Sequence, residues 1–198
     1  YNPSAPTAAE VNSGFADADL FEFIELTNIG TLDVDLTEVS FTAGINYDLP
    51  AIVIPSGERV ILARNRAAFL LRHPGMAPFL LTGEYGIGDT NKLANGGELI
   101  VIQDGLGGDI RRFTYDDKFP WPNVSDGDGP SLVLIAPDTN PDHAFSSNWR
   151  ASAASGGNPG SSEAKSFVGD PNADLDKNGV RDLVCLLYTS PSPRDVEE

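Results

Sequence analysis

The stretch FEFIELTNIGTLDVDL, residues 21–36, decides how the rest of the chain is read. Ile24 and Leu26 share one face of an extended strand, while Glu25 and Thr27 point the other way. Phe23 lies off the Ile24 face, so the second side is expected to be half exposed. Asn28-Ile29-Gly30 then supplies turn chemistry, since Asn and Gly tolerate positive φ. The chain resumes extended through Leu36, Val39 and Phe41, and every later strand has to pack against this pair or lie beside it.

Outward from this pair, 20 glycines, 15 prolines and little sustained 3.6-residue periodicity point to short strands joined by turns. Val60-Ile61-Leu62 follows the turn Pro55-Ser56-Gly57-Glu58 as a buried strand. Glu98 to Ile102 and Ile110 to Tyr115 form a hairpin around residues 104–108, and Ser131 to Ile135 is a further apolar strand. Ile45 to Leu49 and Ile52 to Ile54 are broken by Pro50 and Pro55, which makes them edge or irregular pieces. Asn65 caps the one helix expected, Arg66 to His73, which Pro74 ends. Residues 5–19, 75–91 and 137–148 read as loops, and the Ser-, Gly- and Ala-rich run 152–165 as a linker. About seven short strands separated by turn signals predict an all-β, two-sheet β-sandwich. Ile24, Leu26, Val60, Leu62, Ile100, Ile102 and Leu134 are its expected core.

The 198 residues suffice for one domain and tails, with 40% hydrophobic residues to build a core. A net charge of -16, with 13 scattered Lys and Arg, argues against a nucleic-acid partner and against an anionic membrane surface. No apolar run of about 20 residues is present, so no membrane insertion is expected. Cys185 is the one cysteine, which excludes an internal disulfide.

Glu22-Phe23-Ile24-Glu25-Leu26-Thr27-Asn28, followed by Asp35-Leu36, resembles the opening of a lamin tail domain of the bacterial type. Further matches follow in order: Leu93-Ala94-Asn95-Gly96-Gly97-Glu98, Tyr115-Asp116-Asp117, Trp121-Pro122, Gly129-Pro130-Ser131-Leu132, Asn148-Trp149-Arg150-Ala151-Ser152 and Gly156-Gly157-Asn158-Pro159-Gly160. The resemblance implies an immunoglobulin-like β-sandwich over residues 1–161, with one short helix and a mostly irregular tail. Tyr1-Asn2-Pro3-Ser4 resembles the end of the family's first strand, so an internal fragment is expected, with its signal peptide upstream.

Trp121, between Pro120 and Pro122, and Trp149, before Arg150, offer a carbohydrate-stacking platform or, more simply, plugs for one end of the sandwich. Asp116, Asp117, Asp126 and Asp128 place carboxylates on loops flanking Trp121, where they serve solvated turns or offer oxygen ligands to Ca²⁺. His143, near Asp138, Asp142 and several serines, lacks the nucleophile elbow a catalytic triad would need. His73 is placed to favour a helix C-terminus. The glycines of residues 83–88 lack the Lys-Ser/Thr pair of a phosphate loop. Asn123-Val124-Ser125 is a formal glycosylation sequon.

In residues 162–184, Asp174, Asp176, Asn178 and Asp182 fall at positions 1, 3, 5 and 9 of an EF-hand calcium loop. Gly179 makes the turn and Val180 would offer its carbonyl. The segment also resembles the dockerin-like, Asp-rich calcium segments that follow extracellular modules of secreted bacterial proteins. Cys185 stands where a bidentate Glu belongs, so Ca²⁺ binding as written is expected to be weak. Residues 185–198 are expected to be non-native read-through, because Cys185 to Asp195 resembles a translated sequencing adapter.

The expectation is a non-catalytic binding, adhesive or structural module of a larger secreted or cell-surface bacterial protein. Its partners would be a protein or polysaccharide ligand and the other domains of the parent chain. The alternative is an accessory domain contributing to a neighbouring extracellular hydrolase.

Overall fold

The computed structural model describes residues 1–86 and 91–161. Strands dominate it, accompanied by short helices. In chain order come α1 (Ala8–Asn12), β1 (Phe23–Thr27), β2 (Val34–Asp35), β3 (Ser40–Ala43), β4 (Tyr47–Asp48), β5 (Val53–Ile54) and β6 (Arg59–Ala63). They are followed by α2 (Arg66–Arg72), β7 (Leu80–Glu84), β8 (Gly97–Gln103), β9 (Asp109–Asp116), β10 (Pro130–Leu134) and β11 (Trp149–Ser155), with 3-10 turns between. The strands make a four-stranded sheet β4-β3-β8-β9, a three-stranded sheet β1-β6-β7 and the two-stranded pairs β2-β5 and β10-β11.

The main core draws Phe41, Ile100, Ile102 and Tyr115 from the four-stranded sheet and Leu62 and Leu81 from the three-stranded one. The opposite face of the three-stranded sheet, through Ile61, Ala63 and Leu80, meets Phe69 of α2 in a second, smaller core. Alternation along β6 explains this, because neighbouring strand residues point to opposite faces and both faces are covered. α2 starts as expected, with Asn65 Oδ1 accepting from the Ala68 amide at 2.9 Å.

The decisive stretch folds with several departures from the sequence expectation. Phe21 and Glu22 are buried, whereas Ile24 and Leu26 are half-buried against the main core. Val60 and Leu134 are half-buried too, while Leu62, Ile100 and Ile102 are buried as expected. Burial at the first strand follows the turn that delivers the chain, a 3-10 segment Ala18–Phe21, rather than strand alternation alone. Neither Asn28 nor Gly30 adopts positive φ. The buried Asn28 side chain holds the bend instead: Oδ1 accepts from the Gly30 amide at 2.9 Å, and Nδ2 donates to Leu32 O at 2.8 Å and Ile54 O at 2.9 Å.

The expectation of a single helix is corrected by α1, which lies in the stretch read as a loop. Thr7 and Glu10 form a reciprocal capping box there, a sequence-local signal. The region read as loop 75–91 contains β7, which runs parallel to β6. The run read as linker from Ser152 continues β11 to Ser155 through backbone pairing with β10. Tyr1 to Ser4 carry no strand. His73 packs its ring on Phe69 and Phe23, at centroid distances of 4.8 and 5.8 Å, and burial then pushes its pKa down. Its role is packing rather than charge at a helix end.

Candidate functional site

Trp121 and Trp149, far apart in sequence, converge to a ring-centroid distance of 6.1 Å at a tilt of 40°. Trp149 opens β11 opposite Leu134 and lies 5.5 Å from Phe113 of β9, at 27°. His143 closes the cluster, 5.3 Å from Phe113 and edge-on to Trp149 at 5.6 Å. Trp149 Nε1 donates to His143 O at 2.8 Å, which ties the 137–148 loop to the strand. Both tryptophans are half-buried, and Trp121 packs on the main core, so each has one side in the fold and one toward water. Phe119, two residues before Trp121 and preceding a cis proline, is 95% exposed.

Phe113 is the member that sequence reading missed, and His143, weighed there only for a triad, joins the cluster as a packing ring. Phe113 alternates with the buried Tyr115 on one strand face, but nothing local shows which loop will cover it. His143 Nδ1 meets the Pro141 carbonyl at 2.8 Å, and Asp142 accepts from the Ala144 amide at 2.9 Å. The pieces of an imagined triad thus serve their own loop. Burial pushes the His143 pKa down, leaving a neutral ring at neutral pH. A groove of about 220 Å³ adjoins the cluster, between Ile110–Arg112 and Asn140–His143. Across it, Arg111 Nη2 donates to Asn140 Oδ1 at 2.6 Å.

Asp116 and Asp117 sit at the far end of β9. Asp116 accepts from the Lys118 amide at 3.0 Å, which, with the Asp117 side chain, holds its pKa below the usual carboxylate range. Asp126 accepts from Asn2 Nδ2 at 2.6 Å. Burial first, and then the charges of Asp126, Asp117 and Asp116, push the Tyr1 hydroxyl pKa up to about 12. Among the described residues no group of three or more His, Cys, Asp or Glu side chains is arranged to hold a metal ion. The calcium-loop residues Asp174, Asp176, Asn178, Val180 and Asp182 lie outside the described residues. Of the glycines read against a phosphate loop, Gly83 belongs to β7, and the Gly86 amide donates to Arg64 O at 2.9 Å.

A second polar cluster was not read from the sequence. Glu22 is 1% exposed, and its Oε2 accepts from the Tyr85 hydroxyl and the Leu93 amide, both at 3.0 Å. Burial pushes its pKa up to about 7 against the pull of those two bonds. Oε1 has no hydrogen-bond partner. The buried Arg64 lies 3.7 Å from Asp19 and 3.9 Å from Asp17, and Lys92 also pairs with Asp19.

No family model, curated protein or solved structure matches the chain.

Proposed function

We propose that this chain is a non-catalytic binding or adhesive module of a larger secreted or cell-surface protein, built on an immunoglobulin-like sandwich of the lamin tail type. The convergence of Trp121 and Trp149 at 6.1 Å carries the reading. Half-buried aromatic rings held by a core on one side and open on the other give large contact area at little entropic cost. The ligand is a protein or polysaccharide taken against these rings, with Asp116 and Asp117 at the rim. The tail residues Asp174 to Asp182 add at most a weak Ca²⁺ loop in this sequence.

The test is titration of the full chain with soluble polysaccharides and extracellular proteins, followed by tryptophan fluorescence. Saturable quenching that weakens at least about tenfold in Trp149→Ala, with the fold retained by circular dichroism, is the expected result. Turnover of any ligand in the panel, or binding indifferent to both Trp121→Ala and Trp149→Ala, overturns the proposal.

A further inference from the structure

The four-stranded sheet ends in two unlike edges. β4 is two residues long, a short edge of the kind that resists further pairing, whereas β9 spans eight residues, Asp109–Asp116. Its pairing with β8 skips Ile110, which forms a bulge, and is regular from Arg111 onward. Among the described residues, no backbone hydrogen bond joins 109–116 to anything other than β8. From Arg111 onward, one row of strand amides and carbonyls therefore has no backbone partner among the described residues, the condition for adding a strand.

The charges on this edge are antisymmetric about Thr114. Arg111 and Arg112 precede it, and Asp116 and Asp117 follow it. Two copies laid antiparallel about Thr114 set Arg112 of each opposite Asp116 of the other, Arg111 opposite Asp117, and Phe113 opposite Tyr115. Opposed residues in an antiparallel pair share a face, so each of the four charged positions between 111 and 117 meets its opposite. Arg112, Thr114 and Asp116 alternate along the more exposed face, where such pairs form without clashing with the core. Arg112 commits Nε to Asp109 Oδ2 at 2.5 Å, and Arg111 bonds Ile110 O and Asn140. Each guanidinium has five N–H donors, so both retain some for a second copy.

From this we infer that β9 is a homodimer edge: two copies of the chain pair β9 with β9 about Thr114 and join their four-stranded sheets into one continuous sheet. The occupant is a second copy rather than a foreign peptide because the strand complements itself. This is an isologous interface, in which the same patch serves both subunits.

The test is analytical ultracentrifugation of the full chain at submillimolar concentration, under reducing conditions so that Cys185 cannot cross-link. A dimer is expected, weakening as salt rises. Arg112→Glu and Asp116→Arg should each raise the dimer Kd by at least about tenfold, while an equimolar mixture of the two should form a heterodimer of near wild-type affinity. Circular dichroism confirms that each variant is folded. Should D116R not fold, Asp116→Asn must weaken dimerisation in its place. A wild-type chain that stays monomeric overturns the inference. So does a dimer indifferent to R112E, or a mixture that fails to associate.

Discussion

Glu10 and Glu22 are both buried carboxylates, yet their surroundings push them in opposite directions. Glu10 accepts from Arg72 Nε at 2.7 Å and Nη2 at 3.3 Å, and from the Thr7 amide at 2.7 Å. The Arg72 hydrogen bond is the largest cause holding its pKa down at about 2. Glu22 receives only neutral donors, Tyr85 and Leu93, and burial takes its pKa up to about 7. The Tyr1 amino group and Arg64 pull on it only through space, and Arg64 lies against Asp17 and Asp19. Glu22 is also the deeper of the two, at 1% exposure against 6% for Glu10. Two differences decide the outcome: burial dominates at Glu22, and only Glu10 has a charged donor in direct contact.

The comparison is broken most severely by Arg72→Ala, which leaves Glu10 buried without its cation. A loss of about 3–5 kcal/mol in urea denaturation at neutral pH is expected, with much of it recovered in the R72A/E10Q double variant. A loss below about 1 kcal/mol would show that the pair is solvated. Arg72 also donates to Ser4 O at 3.0 Å and lies 3.7 Å over the Phe21 ring, so some loss should persist in the double variant.

Next in size is Glu22→Gln. Because the folded pKa of Glu22 lies above its unfolded value, the proton favours the fold. The stabilisation is complete below about pH 4.5 and is lost as the pH rises to about 7, a swing of roughly 3 kcal/mol. The variant should be more stable than wild type by up to that amount at pH 8 and nearly equal to it at pH 4. Parallel pH–stability curves for the two proteins would remove the assignment. Glu10 has the opposite sign: its contribution is present above about pH 4.5 and fades as the pH falls toward 2, and E10Q should lose that acid limb.

The smallest effect expected is from Thr7→Ala, which removes one half of the α1 capping box and should cost about 1 kcal/mol. An unchanged midpoint would mean that α1 is held by the Arg72 pair alone.

Elements with a local cause are legible in the sequence. Asn65 capping α2 and the β8–β9 hairpin needed only neighbouring residues. The Thr7–Glu10 box was equally local and was passed over because α1 is only five residues long. β7 was lost for a different reason: its partner β6 is reached through α2, and parallel pairing leaves no turn signal beside the strand.

By itself the sequence determined that this chain builds many short strands, where they bend, and that its surface is strongly acidic, because periodicity, turn chemistry and charge are properties of neighbouring residues. Only the tertiary structure decided that Trp121 meets Trp149, that Glu10 accepts hydrogen bonds from Arg72 while Glu22 accepts them only from neutral donors, and that β9 is left at an edge. Those outcomes depend on burial and on distances between segments remote in sequence, and side-chain protonation and accessibility follow from them.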